Sequence, residues 1–291
     1  GDGPRTITVN ADNPESYPLL EQLGFRILPL EGEGPASLSL AASGGASNGD
    51  LAIELELNAA GSQILLNGNG RIPASDPATG LFSLAVDSAD IEPLIIMSGH
   101  SIPQGGAGLP LSMTASLAFN DQTALLSDIT GQAEDNTFSG RLEFDRSASV
   151  LSARGAVRVD YANLEWLGEL ALGPQLSSLD GAAWSDQPFL PPASGQPEMQ
   201  LGLEAARIDL GRGGVAQNFK AGLSTATGLM SLDNAEMDWF GGRLGGRVSV
   251  SNVDGSVFLS GKIEAASAGL AALDRACLLY TSPSPRDRQK S

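Results

Sequence analysis

One short segment of the sequence has the residue pattern of a serine nucleophile. Gly45-Ala-Ser47-Asn-Gly49 matches the elbow of serine hydrolases, in which a strained strand-to-helix turn exposes the serine hydroxyl. Here the serine lies in a Gly/Asn turn between two alternating segments, and the only histidine, His100, lies in a Gly/Ser-rich segment. Because five-residue patterns recur by chance, a hairpin turn accounts for the match better. We predict no catalytic residue at this position.

Two glycine-rich segments resemble nucleotide-binding loops only loosely. Gly211-Arg-Gly-Gly-Val-Ala216 is followed by strand-like sequence and not by the helix of a dinucleotide fingerprint. The segment 255–263 has one residue too many for a P-loop and no Ser or Thr to hold magnesium. Acidic turns such as Glu134-Asp135-Asn136 have calcium-binding oxygens, but solvated loop charge accounts for them better. We predict no cofactor, no metal site and no enzymatic activity.

The composition excludes several classes of function. The chain has 17 basic and 34 acidic residues, a net charge of −17, and no basic stripe that could bind a nucleic-acid backbone. One cysteine and one histidine exclude a disulfide framework and a thiolate-rich metal site. The 36 glycines and few aromatic residues favour thin, repetitive β-structure over an enzyme core.

The two ends of the chain differ from the rest. Residues 277–291 contain the only cysteine, carry a net charge of +2 and resemble the translation of a sequencing-library adapter. We interpret them as a non-native tail, with a disordered polar tail as the alternative. The chain begins without an initiator Met, close to the strand-like Thr6-Ile-Thr-Val9. We interpret it as a fragment of a longer protein.

Alternation of apolar and polar residues dominates the chain. The segment 51–58 has one leucine-rich face and one acidic face, and 109–119 repeats the alternation. Turn signals such as Asn67-Gly68 separate these segments, which predicts antiparallel strands and an all-β fold. The dry faces either meet a second sheet in a closed core or line a groove open to an apolar ligand. Periodicity does not separate these alternatives.

Internal similarity indicates a repeat of about 75 residues. The segments 84–94, 157–167 and 263–273 each read as a strand end followed by a short helical turn with two leucine-type anchors. Stacked units of this kind predict an elongated, strongly curved antiparallel sheet with short connecting helices. The predicted organisation is a partial unit at 1–87, a unit at 88–160, a longer unit at 161–276 with a Pro-rich insertion at 174–198, and the tail at 277–291.

These repeats resemble the AsmA family of bacterial envelope proteins. The pattern Asp-x-Ala-x-(Leu/Ile)-Glu-x-Leu recurs in them, and Trp184-Ser-Asp-Gln-Pro-Phe189 is similar to the stretch before the family's C-terminal repeat. The run at 230–250 is similar to a Gly-Gly strand pair that recurs there. The likeness covers roughly 6–276 and rests on loose motifs of Gly and alternating apolar positions.

The resemblance implies a function without catalysis. It implies a curled, groove-like or taco-like sheet in the periplasm, anchored in the inner membrane by an N-terminal helix that this fragment lacks. Its apolar interior would conduct phospholipid between the inner and outer membranes and support outer-membrane assembly. The implied partners are phospholipid, the envelope membranes and outer-membrane assembly proteins. A secreted or surface β-repeat adhesin or scaffold with a closed core is the alternative.

The predicted lipid-binding lining consists of small aliphatic residues and a few larger apolar ones, since a conduit needs a continuous dry track without a deep pocket. Its members are Leu51, Ile53, Leu55, Leu57, Phe82, Leu84, Val86, Leu111, Met113, Leu117, Leu142, Phe144, Val248 and Val250.

Overall fold

The chain forms one open β-sheet. The computed structural model describes residues 5–25, 27–44, 49–71, 78–98, 108–147, 150–164, 167, 198–253 and 256–267. Fourteen strands lie in the sheet in the order in which they occur along the chain, so that the first and the last are its two edges. The all-β prediction is confirmed. The strands are β1 Arg5–Asn13, β2 Ala36–Gly44, β3 Asp50–Ala59, β4 Ser62–Arg71, β5 Thr79–Ser88, β6 Leu111–Phe119, β7 Thr123–Ala133, β8 Asn136–Asp145, β9 Ser152–Asn163, β10 Glu198–Asp209, β11 Val215–Ala226, β12 Leu229–Trp239, β13 Gly242–Val253 and β14 Ser256–Ala266.

Tight turns join several of the strands into hairpins. Ala60 and Gly61 connect β3 to β4 with φ angles of 48° and 73°, and Phe240 and Gly241 connect β12 to β13 with 46° and 75°. Positive φ at both central residues matches the right-handed twist of the flanking strands. The sheet is therefore built mainly from local antiparallel pairs.

One pair of strands departs from the predicted antiparallel arrangement. β9 and β10 are parallel, with Val157 beside Leu203 and Val159 beside Ala205. A connection of 34 residues separates the two strands, which is long enough to return the chain to the end where β9 began. Two antiparallel segments, β1–β9 and β10–β14, thus meet at a parallel junction. The insertion at 174–198, except for Glu198, and the tail at 277–291 lie outside the described residues.

Two short helices lie at the same end of the sheet. α1 (Ser16–Gln22) follows β1 and α2 (Glu92–Met97) follows β5. Leu19 and Leu20 of α1 are buried, as is Met97 of α2, in one cluster with the ends of β2 and β3. The backbone N–H of Leu28, in the chain that follows α1, donates to the Met97 carbonyl at 2.6 Å. The helices and this connection close the apolar face at one end of the first strands.

A buried serine fixes the start of α1 on the sheet. Ser16 is fully buried, and its Oγ accepts a hydrogen bond from the Ala60 N–H at 2.8 Å and donates to the Gly34 carbonyl at 3.0 Å. A buried hydroxyl with both a donor and an acceptor avoids the cost of desolvation without a partner. Ser16 therefore joins α1 to the turn between β3 and β4.

β-Bulges keep the apolar side chains on one face where the alternation in the sequence breaks. Leu126 pairs with Leu142 and Ile129 pairs with Gly140, so β7 uses one more residue than β8 over this interval. Asp128 takes up the extra length with a φ of 52°, a conformation that Asp and Asn tolerate better than most residues. Ile129 therefore returns to the same face as Leu126.

Charged side chains on the polar face connect the strands at the parallel junction. Arg158 of β9 donates to Glu204 of β10 from Nε at 3.0 Å and from Nη2 at 2.6 Å. Lys220 of β11 lies 3.3 Å from the other oxygen of the Glu204 carboxylate. Both hydrogen bonds lower the pKa of Glu204, and the one from Arg158 has the larger effect.

The direction of this shift predicts how the junction responds to acid. A carboxylate whose pKa is lowered by folding stabilises the protein above its unfolded value, which is 4.5 for Glu, and loses that contribution as the pH falls through its folded pKa. We expect Glu204→Gln to lower the urea midpoint at about pH 7 and the difference from wild type to shrink as the pH falls below 4.5 and through the lowered pKa of Glu204. Glu143→Gln is the control, because Glu143 is an exposed carboxylate of the same face. An equal pH dependence in both variants would assign the effect to overall charge instead.

Candidate functional site

One face of the sheet is apolar from edge to edge. Directly paired residues on neighbouring strands present their side chains on the same side, so the register traces each face across all strands. Starting from Ile7 of β1, an unbroken row of paired residues reaches Gly261 of β14, with one residue from each strand. We call it the apolar row. Its members are Ile7, Ala42, Ile53, Gly68, Phe82, Leu117, Leu126, Leu142, Gly155, Leu201, Leu223, Leu232, Val248 and Gly261.

The neighbouring row, one residue nearer the end of the sheet opposite α1 and α2 in every strand, lies on the opposite face and is mainly polar. We call it the polar row. Leu81 and Leu125 are its only large apolar members within the described strands. The row consists of Thr6, Ser43, Ala52, Asn69, Leu81, Ala118, Leu125, Glu143, Arg154, Gln200, Ser224, Ser231, Ser249 and Ser260.

All fourteen residues of the predicted lining lie on the apolar face. Each belongs to β3, β5, β6, β8 or β13 and is either in the apolar row or an even number of positions from it within its strand. Leu57 and Phe82 are buried, and the other twelve are half-buried. The structure thus brings the predicted residues together on one surface. Their role in binding lipid remains a prediction.

Further residues of the same face were missed from the sequence. β10, β11 and β12 contribute Leu201, Leu203, Phe219, Leu223 and Leu232, all half-buried or buried. Alternation was available as a signal in Leu201-Gly-Leu203. In β11 and β12 the irregular pairing between Gln217 and Gly222 and between Leu232 and Ala235 breaks the alternation.

Burial on the apolar face rises from the edges to the interior. Ile7 and Ile263, on the two edge strands, are 59% and 68% exposed, whereas Phe82 and Phe219 are 6% and 2% exposed. The described strands belong to a single sheet, so this burial does not come from a second sheet. It comes from neighbouring side chains of the same face and, at one end, from the two helices.

Glycines on the apolar face mark close approaches between neighbouring strands. A Cβ atom placed on Gly155 of β9 would lie 2.0 Å from the Arg141 carbonyl oxygen of β8, and one placed on Gly68 of β4 would lie 2.1 Å from the Leu81 carbonyl oxygen of β5. On the polar face, Gly202 differs, because its nearest contact to an added Cβ would be 3.7 Å. On the apolar face, the backbone of the neighbouring strand therefore lies close to Gly68 and to Gly155.

The end of the sheet opposite the helices contains a recess of about 630 Å³. Most of its lining lies on the polar face, including Asn69, Leu81, Ala118 and Leu125 of the polar row, and Phe119 reaches it from the apolar face. The ring of Phe119 stacks on that of Phe82 at 5.7 Å between centroids. Apolar surface and hydrogen-bonding groups thus adjoin at this end of β4–β7.

The two ends of the strands differ in charge. We define the helix rim as the connections and the two terminal strand residues at the end that holds α1 and α2, and the far rim as the same positions at the other end. Among the described side chains, the helix rim has twelve carboxylates and one guanidinium, and the far rim has four carboxylates and two guanidinium groups. The helix rim contains Asp12, Glu15, Glu21, Glu31, Glu33, Asp87, Asp90, Glu92, Glu134, Asp135, Asp209, Asp238 and Arg243, and the far rim contains Asp50, Asp121, Asp145, Glu198, Arg71 and Arg146.

The residues considered for catalysis and cofactor binding lie partly outside the described residues. Ser47 and His100 are among those outside. Gly211–Gly213 forms a 3-10 turn that leads directly into β11. Glu134 and Asp135 form the turn between β7 and β8, and within the described residues no three carboxylate, His or Cys side chains are grouped to hold a metal.

Among the described helices, none is long and apolar enough to cross a membrane. No family model, no curated protein and no solved structure matches the chain.

Proposed function

We propose that this chain belongs to a non-enzymatic envelope protein that carries phospholipid along its apolar face between the inner and outer membranes and supports outer-membrane assembly. The observation that carries the proposal is the apolar row, which crosses all fourteen strands without a charged or polar residue. At about 4.8 Å between strands, the row spans about 60 Å along the sheet. Acyl chains need such a dry and continuous path.

The glycines of the apolar face support a curved shape for this path. A neighbouring backbone lies where the Cβ of Gly68 or Gly155 would project, which is the geometry of a sheet that bends toward its apolar side. Bending of this kind turns one face of a single sheet into a groove. The predicted repeat of about 75 residues would extend the same groove in a longer protein.

The proposed location follows from the same function. A phospholipid path between two membranes lies in the periplasm, and the resemblance adds an N-terminal helix in the inner membrane. Phospholipid and the two envelope membranes are then its partners, and outer-membrane assembly proteins follow from the resemblance. The full reading frame tests this part, since it either begins with a single membrane-spanning segment or does not.

Photo-crosslinking of the whole chain tests phospholipid binding directly. A photoreactive residue replaces Leu55 of β3 or Phe144 of β8, and the protein is irradiated in cells and analysed by mass spectrometry. We expect phospholipid adducts at both positions, since both side chains lie on the apolar face. The matched controls are Glu54 and Glu143, the preceding residues, which lie on the polar face. Adducts at the controls alone would contradict the proposal.

A second candidate is a surface scaffold or adhesin whose apolar face is a closed core. Dense burial around β9–β12 favours it, because Ile208, Ala216 and Phe219 are at most 2% exposed there. In a closed core, a photoreactive residue at Leu55 or Phe144 would crosslink to this chain's own strands and yield no lipid adduct. The crosslinking experiment therefore separates the two candidates.

A further inference from the structure

We infer that the recess at the far rim is a binding site on the polar face for a small uncharged molecule, with an apolar group held between Leu81 and Leu125 and hydrogen-bonding groups beside the strand ends. The inference goes beyond the proposed function, because the phospholipid path follows the opposite face of the sheet. Three observations carry it: an apolar slot on an otherwise polar surface, hydrogen-bonding groups without partners beside the slot, and an ion pair that leaves the wall without net charge.

Three paired residues of the polar row form the slot. Leu81 of β5 and Leu125 of β7 both pair with Ala118 of β6, so a small methyl group lies between two large apolar side chains. Because β6 alone separates β5 from β7, the backbones of the two leucines are about 10 Å apart, a gap that suits one ring or one branched alkyl group. Leu81 is 69% exposed. An apolar ligand in the slot would remove this surface from water.

The apolar part of this surface is small. Asn69 pairs with Leu81 and Glu143 pairs with Leu125, so polar residues continue the row on both sides of the slot. The next row of the polar face toward the helix rim is also polar in β4–β7, and it consists of Asn67, Ser83, Ser116 and Ser127. A protein partner would bury about 800 Å² of such polar surface. The recess volume of about 630 Å³ is instead typical of small-molecule sites.

Hydrogen-bonding groups border the slot at the strand ends. The side chains of Asn69, Thr79 and Thr123 belong to the wall of the recess, and none of them makes a hydrogen bond to another described residue. The carboxamide oxygen of Asn120, also in the wall, accepts from the Thr123 N–H at 2.7 Å, which leaves the NH₂ group as a donor. A ligand with both a donor and an acceptor next to its apolar group matches this arrangement.

The charges at the recess favour an uncharged ligand. The wall contains one carboxylate and one guanidinium group, those of Asp50 and Arg71, which lie 3.9 Å apart. Three carboxylates and two guanidinium groups lie on the adjoining residues of the turn after β6 and of β8 and β9: Asp121, Glu143, Asp145, Arg146 and Arg154. This surrounding charge is net negative and repels an anion. A cation would meet only the Asp50 carboxylate in the wall, which already lies beside Arg71.

Fluorine NMR titration of the whole chain with 4-fluorobenzamide tests the site, because this probe is uncharged and combines one ring with an amide donor and acceptor. The same ring with a negative or a positive charge is available as 4-fluorobenzoate and 4-fluorobenzylamine. We expect 4-fluorobenzamide to bind in the millimolar range, as is usual for about ten non-hydrogen atoms. Its affinity should exceed that of either charged analogue by at least about threefold.

Ala118→Leu tests the location, since a leucine at this position would fill the slot. We expect it to weaken binding of 4-fluorobenzamide by at least about fivefold. The matched control is Ser116→Leu, which adds the same side chain two positions away on the same strand and face, outside the wall of the recess, and should leave binding unchanged. Leu81→Asn removes one side of the slot at an exposed position and should weaken binding by about threefold.

Equal affinity in wild type, Ala118→Leu and Leu81→Asn would place the probe elsewhere on the sheet and overturn the inference. Equal weakening by Ser116→Leu, tighter binding of a charged analogue, or no binding of 4-fluorobenzamide would also overturn it. Urea midpoints of the variants show that each one folds. The crosslinking at Leu55 and Phe144 probes the opposite face, so failure of this inference leaves the proposed function standing, and the reverse holds as well.

Discussion

Gly155→Ala is expected to lower the free energy of unfolding by about 3 kcal/mol, because the new Cβ would overlap the backbone of the next strand. Its position lies 2.0 Å from the Arg141 carbonyl oxygen, and a carbonyl within a sheet ladder cannot rotate away as a side chain would. Relief requires β8 and β9 to separate in the middle of the sheet. Urea denaturation followed by far-ultraviolet circular dichroism measures the loss.

Gly202→Ala is the matched control for this prediction. Gly202 lies on β10 and pairs with Ala156, the residue after Gly155. A Cβ atom on Gly202 would project from the polar face of the sheet. An added Cβ would come no closer than 3.7 Å to any other atom, so we expect a change within about 1 kcal/mol, in the stabilising direction if anything. Similar losses in the two variants would mean that the strands do not approach closely at Gly155.

Phe219→Ala is expected to lower the free energy of unfolding by about 3–5 kcal/mol, since it removes a large buried side chain and leaves a cavity. Phe219 is 2% exposed and lies among the buried residues of β9–β12, beside Ala205 and Leu203. The same urea experiment measures this loss. It also reports how tightly the apolar face is packed in this region.

Leu259→Ala is the control on the same face. Leu259 lies on the edge strand β14, pairs with Val250 and is 64% exposed, so we expect its truncation to change the stability by less than about 0.5 kcal/mol. Large losses in both variants would indicate that the edge is covered in solution. Small losses in both would indicate that the face is loosely packed throughout, which contradicts the burial of Phe219.

The sequence predicted those elements whose alternation is unbroken. β3 and β6 follow directly from apolar residues at every second position. The same alternation is enough to assign Leu55 and Leu117 to the apolar faces of their strands. Alternation alone could not predict the open, single sheet, because one dry face is equally consistent with a second sheet above it. That expectation came from the resemblance.

Other features of the fold could not be predicted from the sequence because their causes are not local. The bulge at Asp128 shifts the register of β7, so that Leu126 and Ile129 share a face although three positions separate them. The parallel pairing of β9 with β10 depends on where a 34-residue connection ends. The functional assignment rests on loose motifs, and the groove and the repeat remain predictions.

The parallel junction has a consequence for how the chain reaches its folded state. Most neighbouring strands are hairpin partners and can pair as soon as a few residues fold back, whereas β9 and β10 must first close the longest loop in the sheet. Contacts with low sequence separation form earlier than distant ones. We therefore expect β1–β9 and β10–β14 to assemble as two separate nuclei, and the apolar row to become continuous only when they join.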